Sequence, residues 1–232
     1  MSANHAAFNL IFRFVENYIS PVAGRISSQR HVMAIRDGFI SAMPFMIVGS
    51  FLLVFAYPPF SPDTTWGFAR AWLDLAKEFE GRILTPFDMT MGIMSIYICA
   101  AIAYNLGKHY EKTNQLDPFM CAMLSIMAFL LVAAPKTNGN LPVDSLGGTG
   151  IFTAILVAVY CVEMMRFLKA HNIGIRLPDQ VPPMIKNSFD LLIPVLVVVL
   201  TLYPLSLLIQ HHFDMLIPQT IMAIFKPLVS AA

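Results

Sequence analysis

The sequence predicts an all-α polytopic membrane protein with about five transmembrane helices and additional interfacial amphipathic helices. Two observations carry that prediction. Residues 38–57, 89–107, 118–135, 145–162 and 191–210 contain no Asp, Glu, Lys or Arg, and the loops between them hold nearly all the charge. At about 1.5 Å of rise per residue, each stretch spans roughly 27–30 Å as a helix, the hydrocarbon thickness of a bilayer. The composition agrees, with 57% hydrophobic and only 12% charged residues, where soluble domains carry about 25% charged. A buried soluble helix of such length would show a polar stripe, and these do not.

Before the first stretch, Phe8, Ile11, Phe12, Val15 and Ile19 recur at helical spacing opposite Asn9, Arg13, Glu16 and Asn17, which predicts a helix lying on the inner membrane surface. No cleavable leader is expected: residues 1–37 carry Arg13, Arg25, Arg30 and Arg36, and the apolar run that follows is too long for a signal core. In span one, Pro44 is expected to kink the helix. Arg36 and Asp37 are expected to mark its inner boundary. Pro58, Pro59 and Pro62 then break the chain, and Trp66, Phe68, Trp72, Leu75 and Phe79 give an aromatic face suited to the outer interface.

Asp88 is placed at the outer mouth of span two, beside Thr90 and Gly92, with a helix cap as its simplest role. Gly92, Gly147, Gly148 and Gly150 are expected to allow close backbone approach. After span three, residues 135–140 read Pro135-Lys136-Thr137-Asn138-Gly139-Asn140, a turn sequence whose donors and acceptors also suit sugar hydroxyls. Glu163 and Arg166 are spaced to pair at i,i+3 at the inner end of span four. Span five carries Pro194 and Pro204 as expected kinks. Residues 213–229, with Phe213, Leu216, Ile217, Ile221, Ile224 and Phe225, read as another interfacial helix. The organisation expected is a cytoplasmic segment over 1–37, a five-span membrane domain over 38–210 and an interfacial segment over 211–232.

Lys and Arg counted by alternate loops orient the chain. Ten lie with the N-terminus: Arg13, Arg25, Arg30, Arg36, Lys108, Lys112, Arg166, Lys169, Arg176 and Lys186. Five lie opposite: Arg70, Lys77, Arg82, Lys136 and Lys226. A cytoplasmic N-terminus is therefore expected. A net charge of +1 with no basic tract gives no reason to expect nucleic acid as a partner. The six histidines show no ligand spacing, and Cys99, Cys121 and Cys161 all fall within spans, so no metal, cofactor or disulfide is expected. No nucleophile elbow, phosphate loop or paired-carboxylate motif occurs, and no catalytic residue is expected.

Four ordered segments carry a resemblance. They are Gln29-Arg30-His31-Val32-Met33-Ala34-Ile35-Arg36-Asp37-Gly38-Phe39-Ile40-Ser41-Ala42-Met43-Pro44, Thr90-Met91-Gly92-Ile93-Met94-Ser95, Asp117-Pro118, and Ile175-Arg176-Leu177-Pro178-Asp179-Gln180-Val181-Pro182-Pro183. Together they resemble the first half of the membrane component, enzyme IIC, of lactose/cellobiose/chitobiose phosphotransferase systems (PTS). The resemblance implies a permease in the bacterial cytoplasmic (inner) membrane. That permease would move a disaccharide such as cellobiose or chitobiose inward while cytoplasmic enzyme IIB and IIA subunits supply its phosphorylation. It also implies a ten-span fold in two halves and a homodimer formed largely through the first. The family's sugar-binding His and Glu belong to second-half motifs without a counterpart here.

Two readings follow. The chain is a sugar permease subunit that needs a second half, or it is a non-transporting membrane protein that retains only the dimerising half. For sugar contacts, Asp88, Lys136 and Asn138 are the candidates.

Overall fold

The computed structural model describes residues 16, 20–136, 139–175, 180, 182, 185 and 189–230. They form eight α-helices: α1 (Ser20–Ser27), α2 (Arg30–Ala56), α3 (Gly67–Asp88), α4 (Met94–Asn114), α5 (Pro118–Ala133), α6 (Ile151–Ala170), α7 (Leu192–Phe213) and α8 (Ile217–Ser230). A 3-10 turn, Gly148–Gly150, leads into α6. The expected N-terminal helix over residues 8–19 and most of the 176–183 segment lie outside the described residues.

Length and hydropathy qualify α2, Gly148–Ala170 and α7 as membrane spans, and α5 is a shorter apolar helix of 16 residues. The helix α4, which is not among them, lies at the centre. Its buried stripe of Ser95, Ile98, Cys99, Ile102, Ala103, Leu106, Gly107 and Tyr110 meets α2, α5 and α6. Enclosed by protein, α4 does not need the uniformly apolar surface that a lipid-facing helix requires. The lipid-facing pattern appears instead on α2 and α7, where Ile40, Phe51, Leu196 and Leu200 point outward.

Contacts fix the helix directions. Gly38 of α2 lies against Ile102 of α4, and Gly49 against Thr90 and Met91 just before it, so α2 and α4 are antiparallel. Ala34, Gly38 and Ala42 form a small-residue row on the buried side of α2, which lets the two backbones approach. Gly107 lies against Cys121, and Cys99 Sγ–H donates to the Ser125 carbonyl (3.5 Å), making α5 antiparallel to α4. Ser95 meets Gly147 at one end while Tyr110 meets Glu163 at the other, so α6 runs parallel to α4. With Lys169 at the end of α6 beside Asp190 just before α7, the five bundle helices alternate, α2, α5 and α7 running one way and α4 and α6 the other.

The helix α3 lies across the end of α2: Trp72 Nε1 donates to the Phe55 carbonyl (3.2 Å) and Tyr57 Oη to Glu80 (2.8 Å). The hydrogen bond to Glu80, and then its charge, raise the Tyr57 phenol above its ordinary pKa. At the same end α8 packs on α6, with Phe152 and Phe225 stacked at 4.5 Å.

Three expectations change. Span two was placed at residues 89–107, but 89–93 are turns and the helix runs Met94–Asn114; an apolar window finds lipid-compatible residues, not helix ends. Pro194 sits in the first turn of α7, where its missing N–H has no intrahelical partner to lose, so it starts the helix and gives no cause for a kink. Asp88 does not cap the helix that follows: it ends α3, and the N-cap of α4 is Ile93, without a side-chain cap. Span three behaves as read, with Pro118 at N1 and the Asp117 carboxylate accepting from the N–H groups of Phe119 (2.9 Å) and Met120 (3.2 Å).

Candidate functional site

Polar groups converge at the two ends of the bundle. At the end where α2 begins, the Glu163 carboxylate of α6 is the centre of a network. Tyr110 Oη of α4 donates to Oε1 (2.5 Å), and Arg166 Nε donates to Oε2 (2.7 Å). His31 Nε2 of α2 lies 2.9 Å from Oε1, and Gln29 Nε2 lies 3.2 Å from His31 Nδ1. The pattern is satisfied with the imidazole proton on Nε2 and Nδ1 accepting from the Gln29 amide. Arg30 and Arg166 place their guanidinium carbons 5.1 and 5.0 Å from the Tyr110 ring centroid. Three helices are thus tied through one carboxylate that is about a quarter exposed.

The i,i+3 pair of Glu163 and Arg166 was legible in the spacing. Its partners His31 and Tyr110 were not, because they lie 132 and 53 residues away in sequence. The available signal was a single carboxylate directly after an uncharged stretch, a position that in a membrane bundle needs a partner. A second clasp sits nearby. Lys169 Nζ donates to the Gln115 carbonyl (2.6 Å) at the left-handed end of α4 and lies 3.4 Å from Asp190 Oδ2, just before α7.

The opposite end is built from turns. Gly92 N donates to the Phe87 carbonyl (3.1 Å), and Thr90 Oγ1 donates to the Pro86 and Phe87 carbonyls (2.9 and 3.1 Å), closing the 89–93 turn. That turn meets the 145–150 loop: Ser95 Oγ donates to the Gly147 carbonyl (2.5 Å) and Ser95 N to the Leu146 carbonyl (2.9 Å). A Cβ on Gly147 would stand 3.1 Å from the Gly92 carbonyl, and one on Gly150 would strike the Ser145 carbonyl. The expected close approach is therefore real at these two glycines and at Gly92, whose Cβ would strike the Asp88 carbonyl, but not at Gly148, where only the Met94 side chain lies within 4 Å.

Of the three candidate sugar contacts, Asp88 is exposed at the C-terminus of α3 and Lys136 is exposed just after α5. Asn138 lies outside the described residues. A carboxylate at a helix C-terminus faces the negative end of the helix dipole, and Asp88 forms no ion pair among the described residues. The position is electrostatically unfavourable for the fold alone.

Residues 36–230 match the family described as "Phosphotransferase system, EIIC". The chain is 33% identical over 214 residues to the PTS system cellobiose-specific EIIC component of Geobacillus stearothermophilus, covering 85% of this chain and 45% of that protein. It is 34% identical over 218 residues to the PTS system lactose-specific EIICB component of Streptococcus mutans serotype c, covering 91% and 37% respectively. Among solved structures, it superposes on the crystal structure of the transporter ChbC, the IIC component from the N,N'-diacetylchitobiose-specific phosphotransferase system. That superposition has a TM-score of 0.77 and 31% identity and covers 94% of this chain and 52% of the other. The chain thus spans about half or less of the length of the relatives it matches.

Proposed function

The chain belongs to the phosphotransferase-system EIIC family of membrane sugar permeases, in its lactose/cellobiose/chitobiose branch, and from that premise we propose that it forms the first half of a disaccharide permease. In this reading it works with a complementing second half to carry cellobiose or chitobiose into the cell. Cytoplasmic IIB and IIA subunits perform the phosphoryl transfer, and homodimerisation is through this half. The observation that supports it is the match of nearly the whole five-helix bundle to half of one transporter of this family.

The proposed orientation puts the Glu163 end in the cytoplasm. Arg25, Arg30, Arg36, Lys108, Lys112, Arg166 and Lys169 gather at that end, in keeping with the bias of basic residues toward the inner side. The turn-built end then faces outward, where Asp88, Lys136 and Asn138 are proposed to meet sugar hydroxyls.

The test is phosphoenolpyruvate-dependent uptake of labelled cellobiose in a strain lacking its own permease and expressing matching IIB and IIA. The expected result is no uptake above empty vector with residues 1–232 alone, and recovery when a second half is co-expressed. Failure of recovery with several second halves favours the non-transporting alternative, and uptake by residues 1–232 alone would mean that this half holds the whole sugar path. In the recovered system, alanine at Asp88, Lys136 or Asn138 is expected to raise the half-saturating cellobiose concentration about fivefold, the equivalent of one hydrogen bond of about 1 kcal/mol. An unchanged value for all three removes them from the sugar path.

A further inference from the structure

The exposed face of α3 carries a groove whose chemistry the transport reading does not use. Phe68, Trp72, Leu75, Phe79 and Arg82 follow one another at helical spacing, and Phe55 of α2 closes the far side, enclosing about 580 Å³. The walls are aromatic and aliphatic. Phe55 packs on Trp72 with ring centroids 5.6 Å apart, and Phe68 on Trp72 at 5.9 Å. The one polar hydrogen that Trp72 offers is already donated to the Phe55 carbonyl. Such walls leave nothing to bond sugar hydroxyls. Phe55, Phe68 and Leu75 each remain more than half exposed.

At one end of this apolar stripe stands a single cation. The Arg82 guanidinium lies 5.6 Å from the Phe79 ring centroid and forms no ion pair among the described residues. An unpaired guanidinium at the end of an apolar groove matches the two parts of one molecule: a phosphate for the fork and an acyl chain for the rings. We propose that the α3 groove binds an anionic phospholipid of the surrounding bilayer, with the headgroup phosphate on Arg82 and a chain along Phe79, Leu75, Trp72 and Phe68.

The chain's two tryptophans, Trp66 and Trp72, both belong to this aromatic cluster, so their fluorescence reports on it alone. The purified 232-residue chain is placed in phosphatidylcholine vesicles doped with increasing fractions of acyl-brominated phosphatidylglycerol or acyl-brominated phosphatidylcholine. Brominated phosphatidylglycerol is expected to reach half-maximal quenching at about a fivefold lower fraction, the preference one basic side chain confers near a membrane. Arg82→Gln is expected to abolish that difference while leaving the emission maximum of the unquenched protein unchanged. Equal quenching by both lipids overturns the proposal, as does a preference that survives Arg82→Gln. No quenching by either lipid also overturns it, and means that protein, such as a second copy of the chain, covers the groove.

Discussion

Replacing Glu163 with alanine is expected to lower the thermal midpoint of the detergent-solubilised protein by about 4–10 °C. Tyr110, His31 and Arg166 all lose their shared acceptor. Hydrogen bonds to charged groups contribute about 1.5–3 kcal/mol each. Partial exposure lets water replace some of that, so a total of about 2–3 kcal/mol is expected, which for a chain of this size corresponds to the stated shift. Glu163→Gln keeps an acceptor of the same shape and should lose roughly half as much. Tyr110→Phe removes one donor and should cost about 1 kcal/mol. A Glu163→Ala protein that melts with the parent would mean that packing alone holds the three helix ends together.

The second large effect is expected at Gly38. A Cβ there would strike the Ile102 side chain and also stand 2.9 Å from its backbone nitrogen and 3.0 Å from its Cα. The side chain can rotate away, but the helix backbone cannot, so α2 and α4 must separate. Overpacking of this kind costs about 1–3 kcal/mol for a small addition and more for a branched one. Gly38→Val should therefore give a sharply lower yield of monodisperse protein on size-exclusion chromatography. Gly81, within α3, has nothing within 4 Å of its notional Cβ. Gly81→Ala should be neutral or stabilising by up to about 1 kcal/mol through helix propensity. Similar elution of the Gly38→Val and parent proteins would show that the α2–α4 contact is looser than described.

The contrast between these two glycines marks what the sequence can and cannot reveal. Charge-free stretches expose the crossings directly, because the bilayer penalises charge wherever it falls in a span; residues 118–135 and 191–210 map closely onto α5 and α7. Helix ends are harder, because an apolar turn and an apolar helix are equally lipid-compatible, and the 89–93 turn was read as span for that reason. Asp88 was misjudged as a cap by the same error. The Glu163 network was half visible: the i,i+3 spacing of Glu163 and Arg166 is local, whereas the approach of His31 and Tyr110 depends on α2, α4 and α6 ending at one level. The family resemblance rested on segments at residues 29–44 and 90–95 that fold into the α2–α4 contact and the turn before α4. Their sequence pattern therefore records packing as well as function.

The position of Glu163 also bears on the order in which the bundle is completed. Synthesis proceeds from the N-terminus, and every bundle helix after α2 finds a packing partner made before it: α4 on α2, α5 on α4, α6 on α4 and α5, and α7 on α5 and α6. No helix must wait in lipid for a later one. Some side chains must wait: Cys99 for the Ser125 carbonyl of α5, Ser95 for the Gly147 carbonyl, and His31 and Tyr110 for an acceptor that emerges only when α6 is made. The carboxylate thus acts as a late fastener, and the first helices remain free to adjust against one another until the chain that locks them has been inserted.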